Sequence, residues 1–383
     1  MLRRALSALT LLAAMFAAPW AHAQQSGLTT PARHVTIMDG ASGAILFCDD
    51  CNTPMPPASM SKLMTVLLVA ERLQSGEINL DTRFRVSENA WRHGAMSDGS
   101  HMFLELNSEV SVRDLLRGLI IVSANDACIV LAEGVAGSEQ AFVTQMNERA
   151  QALGLTSARF RNVTGLPDPD HVISSSDLAR LTRHLINTYP DLYRIYSERE
   201  FTHNNRTQQN RNPLLGAYTG ADGVKTGHTA DAGYGLVGSA LVNGQRRIIV
   251  FNGLDTMAAR RSEAIRIMSA AFNDFSVAQI AAQGEEVGEA QVRLGSRRTV
   301  PLVAQNNIII GGPRGVQSAL TASIVYDGPL HPPIAEGQVV ARLVVEGPNF
   351  QTQEFPLAAG RRIGKANWFS RAWEGLRLTL FGG

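Results

Sequence analysis

The chain has 383 residues, with 35 Lys and Arg against 34 Asp and Glu, for a formal net charge of +1. With 45% hydrophobic and 18% charged residues it has the composition of a globular protein, long enough for one large domain and a smaller one. This balance excludes the basic footprint of a nucleic-acid binder and excludes steering by a strong net charge.

Arg3 and Arg4 precede an apolar run from Ala5 to Trp20, and Ala21-His22-Ala23 follows. The pattern predicts a secretory signal peptide over residues 1–23, cut after Ala23, so the mature protein works outside the cytoplasm. An uncleaved anchor fits less well, because the apolar run is short. His34 to Met38 and Ala44 to Phe47 read as a hairpin around Asp39-Gly40-Ala41-Ser42-Gly43.

At the end of that hairpin, Cys48-Asp49-Asp50-Cys51 suits a small structural disulfide in an oxidising compartment. A redox motif would need low thiol pKa values, which two intervening aspartates oppose. Zinc would need two more ligands, and none has suitable spacing. Cys128, the third cysteine, lies in an apolar helix and reads as an inert buried thiol.

Pro57-Ala58-Ser59-Met60-Ser61-Lys62 leads into the apolar run Leu63 to Ala70, which reads as a buried core helix. Ser59 and Lys62, three apart, share one helical face at its start. A serine becomes a nucleophile only when a base takes its proton, and lysine can be that base where burial or a second cation lowers its pKa. A helix N-terminus adds backbone N–H groups for a developing oxyanion. The plainer reading is a capping serine beside a solvated lysine. Lysine usage favours the chemical one. Only Lys62, Lys225 and Lys365 occur among the 35 basic residues, so the chain uses arginine for mere charge and keeps lysine where a proton can leave.

Residues 81–111 mix strand-like and loop-like pieces without a strong period. Val112 to Val122 and Asn125 to Gly134 read as helices broken at Ser123-Ala124-Asn125, where side chains can leave the helix and enter a cleft. Ser138 to Ala152 carries an apolar stripe of Phe142, Met146, Ala150 and Leu153. Gly165 to Asp170 forms a rigid loop, and Ser176 is the expected N-cap of a helix over Asp177 to Ile186. Gly223–Thr226, Tyr234–Leu241 and Arg247–Leu254 are strand signals, the last two joined by an Asn243-Gly244 turn. A helix over Ala258 to Phe272 completes an antiparallel sheet packed by helices. Lys225-Thr226-Gly227 ends the first of these strands, and its glycine permits close backbone approach. Read structurally, Thr226-Gly227 is only a turn.

Composition shifts near Ser276-Val277. Ala290–Leu294, Thr299–Ala304, Asn307–Ile310, Ala319–Tyr326, Gly337–Val345 and Gln351–Pro356 read as strands between Gly/Pro turns, hence a small all-β domain. In the tail, Trp368, Phe369, Ala372, Trp373, Leu376 and Leu380 share a helical face opposed by Arg371, Glu374 and Arg377. That suits a membrane interface, and alternatively a helix docked on the β domain. The predicted organisation is a signal peptide (1–23), a catalytic domain (24–277), a β-sandwich-like domain (278–360) and an amphipathic anchor helix (361–383).

Ser-x-x-Lys, Ser-x-Asn and Lys-Thr-Gly in this order form the penicilloyl-serine set. With the flanks Pro57-Ala58-Ser59, Ser123-Ala124-Asn125-Asp126-Ala127-Cys128, Gln208-Gln209-Asn210-Arg211-Asn212 and Asp222-Gly223-Val224-Lys225-Thr226-Gly227-His228-Thr229, the chain from about residue 33 onward resembles the low-molecular-mass penicillin-binding proteins of the 5/6 type. These are serine-type D-alanyl-D-alanine carboxypeptidases with a C-terminal β domain and an amphipathic anchor. The resemblance implies an α+β, β-lactamase/transpeptidase-like catalytic domain. It also implies a peptidoglycan stem pentapeptide as substrate and β-lactams as covalent inhibitors. No cofactor, metal or nucleic acid is called for, and the site of action is the periplasmic face of the bacterial inner membrane.

Residue by residue, the resemblance implies that Ser59 becomes acylated, Lys62 accepts its proton and Ser123 relays protons to the leaving amine. Asn125 holds the substrate amide. Lys225 keeps Lys62 neutral and, with Thr226, attracts the terminal carboxylate. The backbone of Ser59 and His228 forms an oxyanion hole beside Gly227. One departure is expected: family members carry an arginine after the last strand where this chain has Asp255, leaving Arg211 or Arg260 as substitutes. A class A β-lactamase shares the motifs, but its loop carries a glutamate where Gly165 to Ser176 offers Asp168 and Asp170. A wall-binding, shape-maintaining module with incidental catalysis is the third reading.

Overall fold

In the computed structural model, residues 28–95, 99–348 and 350–366 are described. The predicted signal peptide therefore lies outside the described residues. The chain begins with β1 (Arg33–Asp39) and β2 (Ile45–Asp49). After a single 3-10 turn over Ala58–Ser61 comes α1 (Lys62–Ser75), followed by β3 (Arg83–Arg85), α2 (Glu88–Ala95), β4 (Glu109–Ser111) and α3 (Val112–Arg117). A π-helical turn over Gly118–Val122 leads to α4 (Asn125–Ala136), α5 (Glu139–Ala152), α6 (Ser175–Thr188) and the short α7 (Pro190–Tyr193). The hairpin β5 (Glu200–His203) and β6 (Arg206–Gln209) precedes β7 (Ala221–Thr229), β8 (Gly233–Val242), β9 (Gln245–Leu254) and α8 (Met257–Asn273).

The main sheet has the order β2-β1-β9-β8-β7, with antiparallel pairing throughout. Both of its faces are covered, so successive residues of one strand serve two cores. Ile248 and Val250 of β9 pack with α1, α4, α5 and α6 on one face. Ile249 and Phe251 pack with Ala264, Ile267 and Met268 of α8 on the other. Each of the Ile, Val, Phe and Met side chains among these contributes about 1.5–3 kcal/mol on burial. In α1, every residue from Lys62 to Ala70 is buried, as the apolar run predicts, and Gly76 (φ 78°) ends the helix.

Sequence boundaries shift in a few places for local reasons. The cap of α6 is Ser174, whose Oγ accepts from the Asp177 N–H, and not Ser176; three consecutive serines made the register ambiguous. The β5–β6 hairpin lies in what composition shows only as a polar stretch, turned by Asn204 and Asn205 at positive φ. Cys48 and Cys51 form a disulfide, and Cys128 is fully buried.

The all-β part comprises β10 (Phe275–Ala281), β11 (Glu286–Gln291), β12 (Thr299–Ala304), β13 (Ile308–Pro313), β14 (Thr321–Val325), β15 (Val339–Gly347) and β16 (Phe350–Ala359). Strand β10 runs through the predicted junction: Phe275 belongs to the core beneath α8, and Ala281 to the β core with Leu302, Leu343 and Leu357. Residues 361–366, assigned in the sequence reading to the anchor helix, instead pair with the β domain through Ile363–Ile334 and Lys365–Gly295 bridges. The rest of that predicted helix, 367–383, lies outside the described residues.

Candidate active site

Strand β7 ends the main sheet and pairs only with β8, so its outer N–H and C=O groups face a cleft of about 1100 Å³. Ser59, Ser123, Asn125, Thr226, Gly227, His228 and Arg211 all line that cleft. Lys62 and Lys225 are buried beneath it. All nine site residues predicted from sequence are therefore gathered in one place.

Ser59 sits in the 3-10 turn ahead of α1, and glycines let other segments close on that turn. A Cβ at Gly227 would fall 2.7 Å from the Pro57 carbonyl oxygen and 3.2 Å from the Ala58 Cβ. The glycine of Lys-Thr-Gly thus admits the nucleophile turn to the strand edge, beyond the substrate approach read from sequence. At Gly165 (φ 78°), a Cβ would meet the Ala58 carbonyl oxygen at 2.0 Å.

Lys62 Nζ donates to Ser59 Oγ at 2.8 Å, to Asn125 Oδ1 at 2.8 Å, and to the Thr164 carbonyl. Burial pushes its pKa down to about 8; Cys128 and Asp126 oppose the shift, and Arg211 adds to it. Burial likewise holds Lys225 well below the ordinary lysine value, reinforced by Lys62 and Arg211. The sequence reading gave Lys225 the task of keeping Lys62 neutral. Burial lowers the Lys62 pKa instead, and Lys225 is not among the groups that shift it; the cost of like charge falls on Lys225. Lys225 Nζ donates to the Thr226 carbonyl at 3.1 Å.

The break before α4 has a clear backbone origin. The π-helical turn ends at Ser123, which adopts φ 68°, and Ala124 N–H bonds back to the Gly118 carbonyl. A left-handed serine is uncommon, and here it turns out of the helix into the cleft. The neighbouring wall is pinned by Asp126, which sequence reading passed over. Its buried carboxylate accepts from Met102 N at 3.1 Å, Leu104 N at 3.3 Å and Ala127 N at 2.9 Å. Asn125 N–H bonds to the Ser100 carbonyl at 2.7 Å, and Arg211 bonds to Ser100 Oγ.

Asp255 is exposed and does not line the cleft, so the position where an arginine was expected carries no ligand. Arg260 does line it. This side chain is 6% exposed, its guanidinium lies 5.4 Å from the Tyr234 ring centroid, and its Nε has no hydrogen-bond partner among the described residues. Burial lowers its pKa; Tyr234 opposes the shift and Arg211 adds to it. Thr164 and Gly165 also belong to the site, although the sequence showed them only as part of a rigid loop.

The family model described as D-alanyl-D-alanine carboxypeptidase matches residues 21–256, and that for the C-terminal domain of penicillin-binding protein 5 matches 275–365. The chain belongs to the D-alanyl-D-alanine carboxypeptidase family. It is 37% identical over 364 residues to the D-alanyl-D-alanine carboxypeptidase DacA of Haemophilus influenzae, covering 94% of this chain and 92% of that one. The crystal structure of penicillin-binding protein 5 from the same organism matches with a TM-score of 0.73 and 37% identity, over 88% of this chain and all of that one. Penicillin-binding protein D2 of Listeria monocytogenes in its ampicillin-bound form matches with a TM-score of 0.58 and 29% identity, over 64% of this chain and 99% of that one.

Proposed function

We propose that this protein is a penicillin-binding serine carboxypeptidase that removes the terminal D-alanine from a peptidoglycan stem pentapeptide through an acyl-enzyme on Ser59. One observation carries the mechanism. Two of the three acceptors around Lys62 Nζ are carbonyl oxygens, which can only accept. A neutral Lys62 amine gives its two N–H groups to them and turns its lone pair to Ser59 Oγ, 2.8 Å away.

Lys62 then takes the hydroxyl proton as Ser59 Oγ bonds to the carbonyl carbon between the two D-alanines. The backbone N–H groups of Ser59 and His228 receive the oxyanion. As the C–N bond breaks, the proton passes to the leaving amine through Lys62 and Ser123. Asn125 and the edge of β7 at Gly227 and His228 hold the peptide. Lys225, Thr226, Arg211 and Arg260 receive the terminal carboxylate, Arg260 as a buried cation whose Nε has no hydrogen-bond partner among the described residues. Water then hydrolyses the ester. The lining counts against a β-lactamase: among the described residues there, no Asp or Glu is present to activate a deacylating water.

Incubation with benzylpenicillin, followed by peptide mapping, tests this reading. One adduct on the Ser59 peptide and release of D-alanine from a D-Ala-D-Ala peptide are expected; an adduct elsewhere sinks it.

We further infer export to the periplasmic face of the inner membrane, with segment 367–383 as a peripheral anchor. The support is the N-terminal Arg3/Arg4, apolar run and Ala21-His22-Ala23, together with the Trp368/Trp373 stripe. Recovery of full-length protein in the soluble periplasmic fraction would contradict the anchor.

A further inference from the structure

Four arginines line the cleft: Arg199, Arg211, Arg260 and Arg261. None of them is within ion-pair distance of a carboxylate among the described residues. Thirteen arginines elsewhere in the molecule are, from Arg72 with Glu77 to Arg342 with Glu354. The described lining contains no acidic residue at all. In a chain whose net charge is +1, this is a local concentration of unneutralised cations. Such a cleft focuses its field on an anion that enters it.

Arg211 and Arg260 are the two that a single terminal carboxylate occupies in the reading given above. Arg199 and Arg261 exceed that need. Their placement is specific. The Arg199 guanidinium lies against the backbone of Gly216, where a Cβ would fall 2.8 Å from its Nη1 and where φ is 75°. Arg261 projects from the first turns of α8, next to Arg260. Leu214, in the loop carrying Gly216, packs in the same core as α8. Arg261 therefore stands on the α8 side of the sheet, and the Arg199 guanidinium reaches the loop of that wall from the segment before β5, whose Tyr196 and Phe201 belong to the other core. Ser59, Asn125 and Thr164 form the wall on the other side.

We propose that Arg199 and Arg261 recognise a second carboxylate, separate from that of the terminal D-alanine, and so select dianionic ligands. This rests on the carboxypeptidase reading. The second carboxylate has two possible sources: the residue of the donor peptide that precedes D-Ala-D-Ala, or an amino-acid acceptor that replaces water in attacking the acyl-enzyme. In the second case the acceptor amine forms the new amide, Ser59 Oγ leaves as the ester breaks, and the amine's proton returns through Lys62 to that oxygen.

The test uses the full chain with two donors, Nα,Nε-diacetyl-L-Lys-D-Ala-D-Ala and its Nε-succinyl counterpart, which adds one carboxylate. It also uses two acceptors, glycine and glycinamide. The wild-type protein is expected to favour the carboxylate member of a pair by about two- to five-fold per arginine, as for exposed ion pairs, and less at high salt. In Arg199→Gln/Arg261→Gln the ratio should fall toward one, and Arg199→Lys should restore part of it. A preference confined to the donors places the second carboxylate in the substrate; one confined to the acceptors places it in the acceptor; either supports the proposal. Equal rates within both pairs, or a preference that persists in the double variant, overturn it while leaving the carboxypeptidase reading intact. Absence of D-alanine release and of a penicillin adduct would instead refute that reading, and the proposal with it.

Discussion

Lys62 Nζ lies 2.8 Å from Ser59 Oγ, and the lysine side chain that makes this contact is wholly removed from solvent. The pairing needs an amine that can lose its proton. Lys62→Arg keeps a cation of similar reach but not the ability to deprotonate at any working pH. Acylation by benzylpenicillin is expected to fall by about 10²–10⁴-fold, the usual value of general-base assistance. Intact-mass spectrometry over time measures it, and an acylation rate within ten-fold of wild type would remove Lys62 from its role.

Because burial sets the Lys62 pKa at about 8, the fraction of neutral amine grows with pH up to and through that value. The second-order acylation rate should therefore rise about ten-fold between pH 6 and 7, then level off above 8. Lys225 is coupled to the same site, so the limb reports the pair. A profile that is flat from pH 6 to 9 would contradict this.

The same shift has a stability consequence. Lysine in the unfolded chain keeps its ordinary pKa near 10.5, so between pH 8 and 10.5 the unfolded state binds more protons. This group thus disfavours the folded state fully below pH 8, and the penalty fades as pH rises toward 10.5. Replacing it by an apolar side chain of similar length removes the penalty. Lys62→Met is expected to gain in Tm relative to wild type at pH 7, with the gap narrowing by pH 10. Calorimetry at both values checks it; a gap that widens with pH would show the sign to be wrong.

Much of this site could be read before any coordinates. The apolar run behind Ser59 specified a buried helix, and three rare lysines in a chain full of arginine marked two of the buried cations. Order along the chain brought Ser123, Asn125 and Lys225 to the same place because helix breaks and strand edges carry recognisable residues. The Thr164 carbonyl was illegible, since a backbone acceptor leaves no mark in side-chain identity. Asp126 was illegible too: it stood in plain view beside Asn125, but the partners that matter, the Met102 and Leu104 N–H groups, lie more than twenty residues away. Arg260 was underrated because residue type alone does not distinguish a solvated helix arginine from a buried one.

At Gly227 the constraint is steric. An alanine Cβ would meet the Pro57 carbonyl at 2.7 Å and the Met60 Cγ at 3.0 Å, and the first of these is backbone that cannot rotate away. Gly227→Ala should push β7 from the nucleophile turn at a cost of about 1–3 kcal/mol, as overpacking does elsewhere. Activity should suffer more than stability, because a displacement of about 1 Å at reacting groups can cost about 10²-fold. A folded variant that acylates at the wild-type rate would show that the strand and turn are not mutually fixed.

Asp126 holds residues 102–104 against α4, and through Ser100 that segment touches both Asn125 and Arg211. In Asp126→Asn one oxygen still accepts, but Nδ2 would replace the oxygen that faces the Leu104 N–H, setting donor against donor. The loss should be about 1–3 kcal/mol, the cost of a buried polar group left without its partner. For a domain of this size each kcal/mol moves Tm by about 2–4 °C. The loosened segment should also weaken binding of the peptide amide by Asn125, raising KM for a D-Ala-D-Ala peptide more than it lowers kcat. Calorimetry and steady-state kinetics on the one variant separate these effects, and an unchanged Tm would mean that the carboxylate is not what fixes this wall of the cleft.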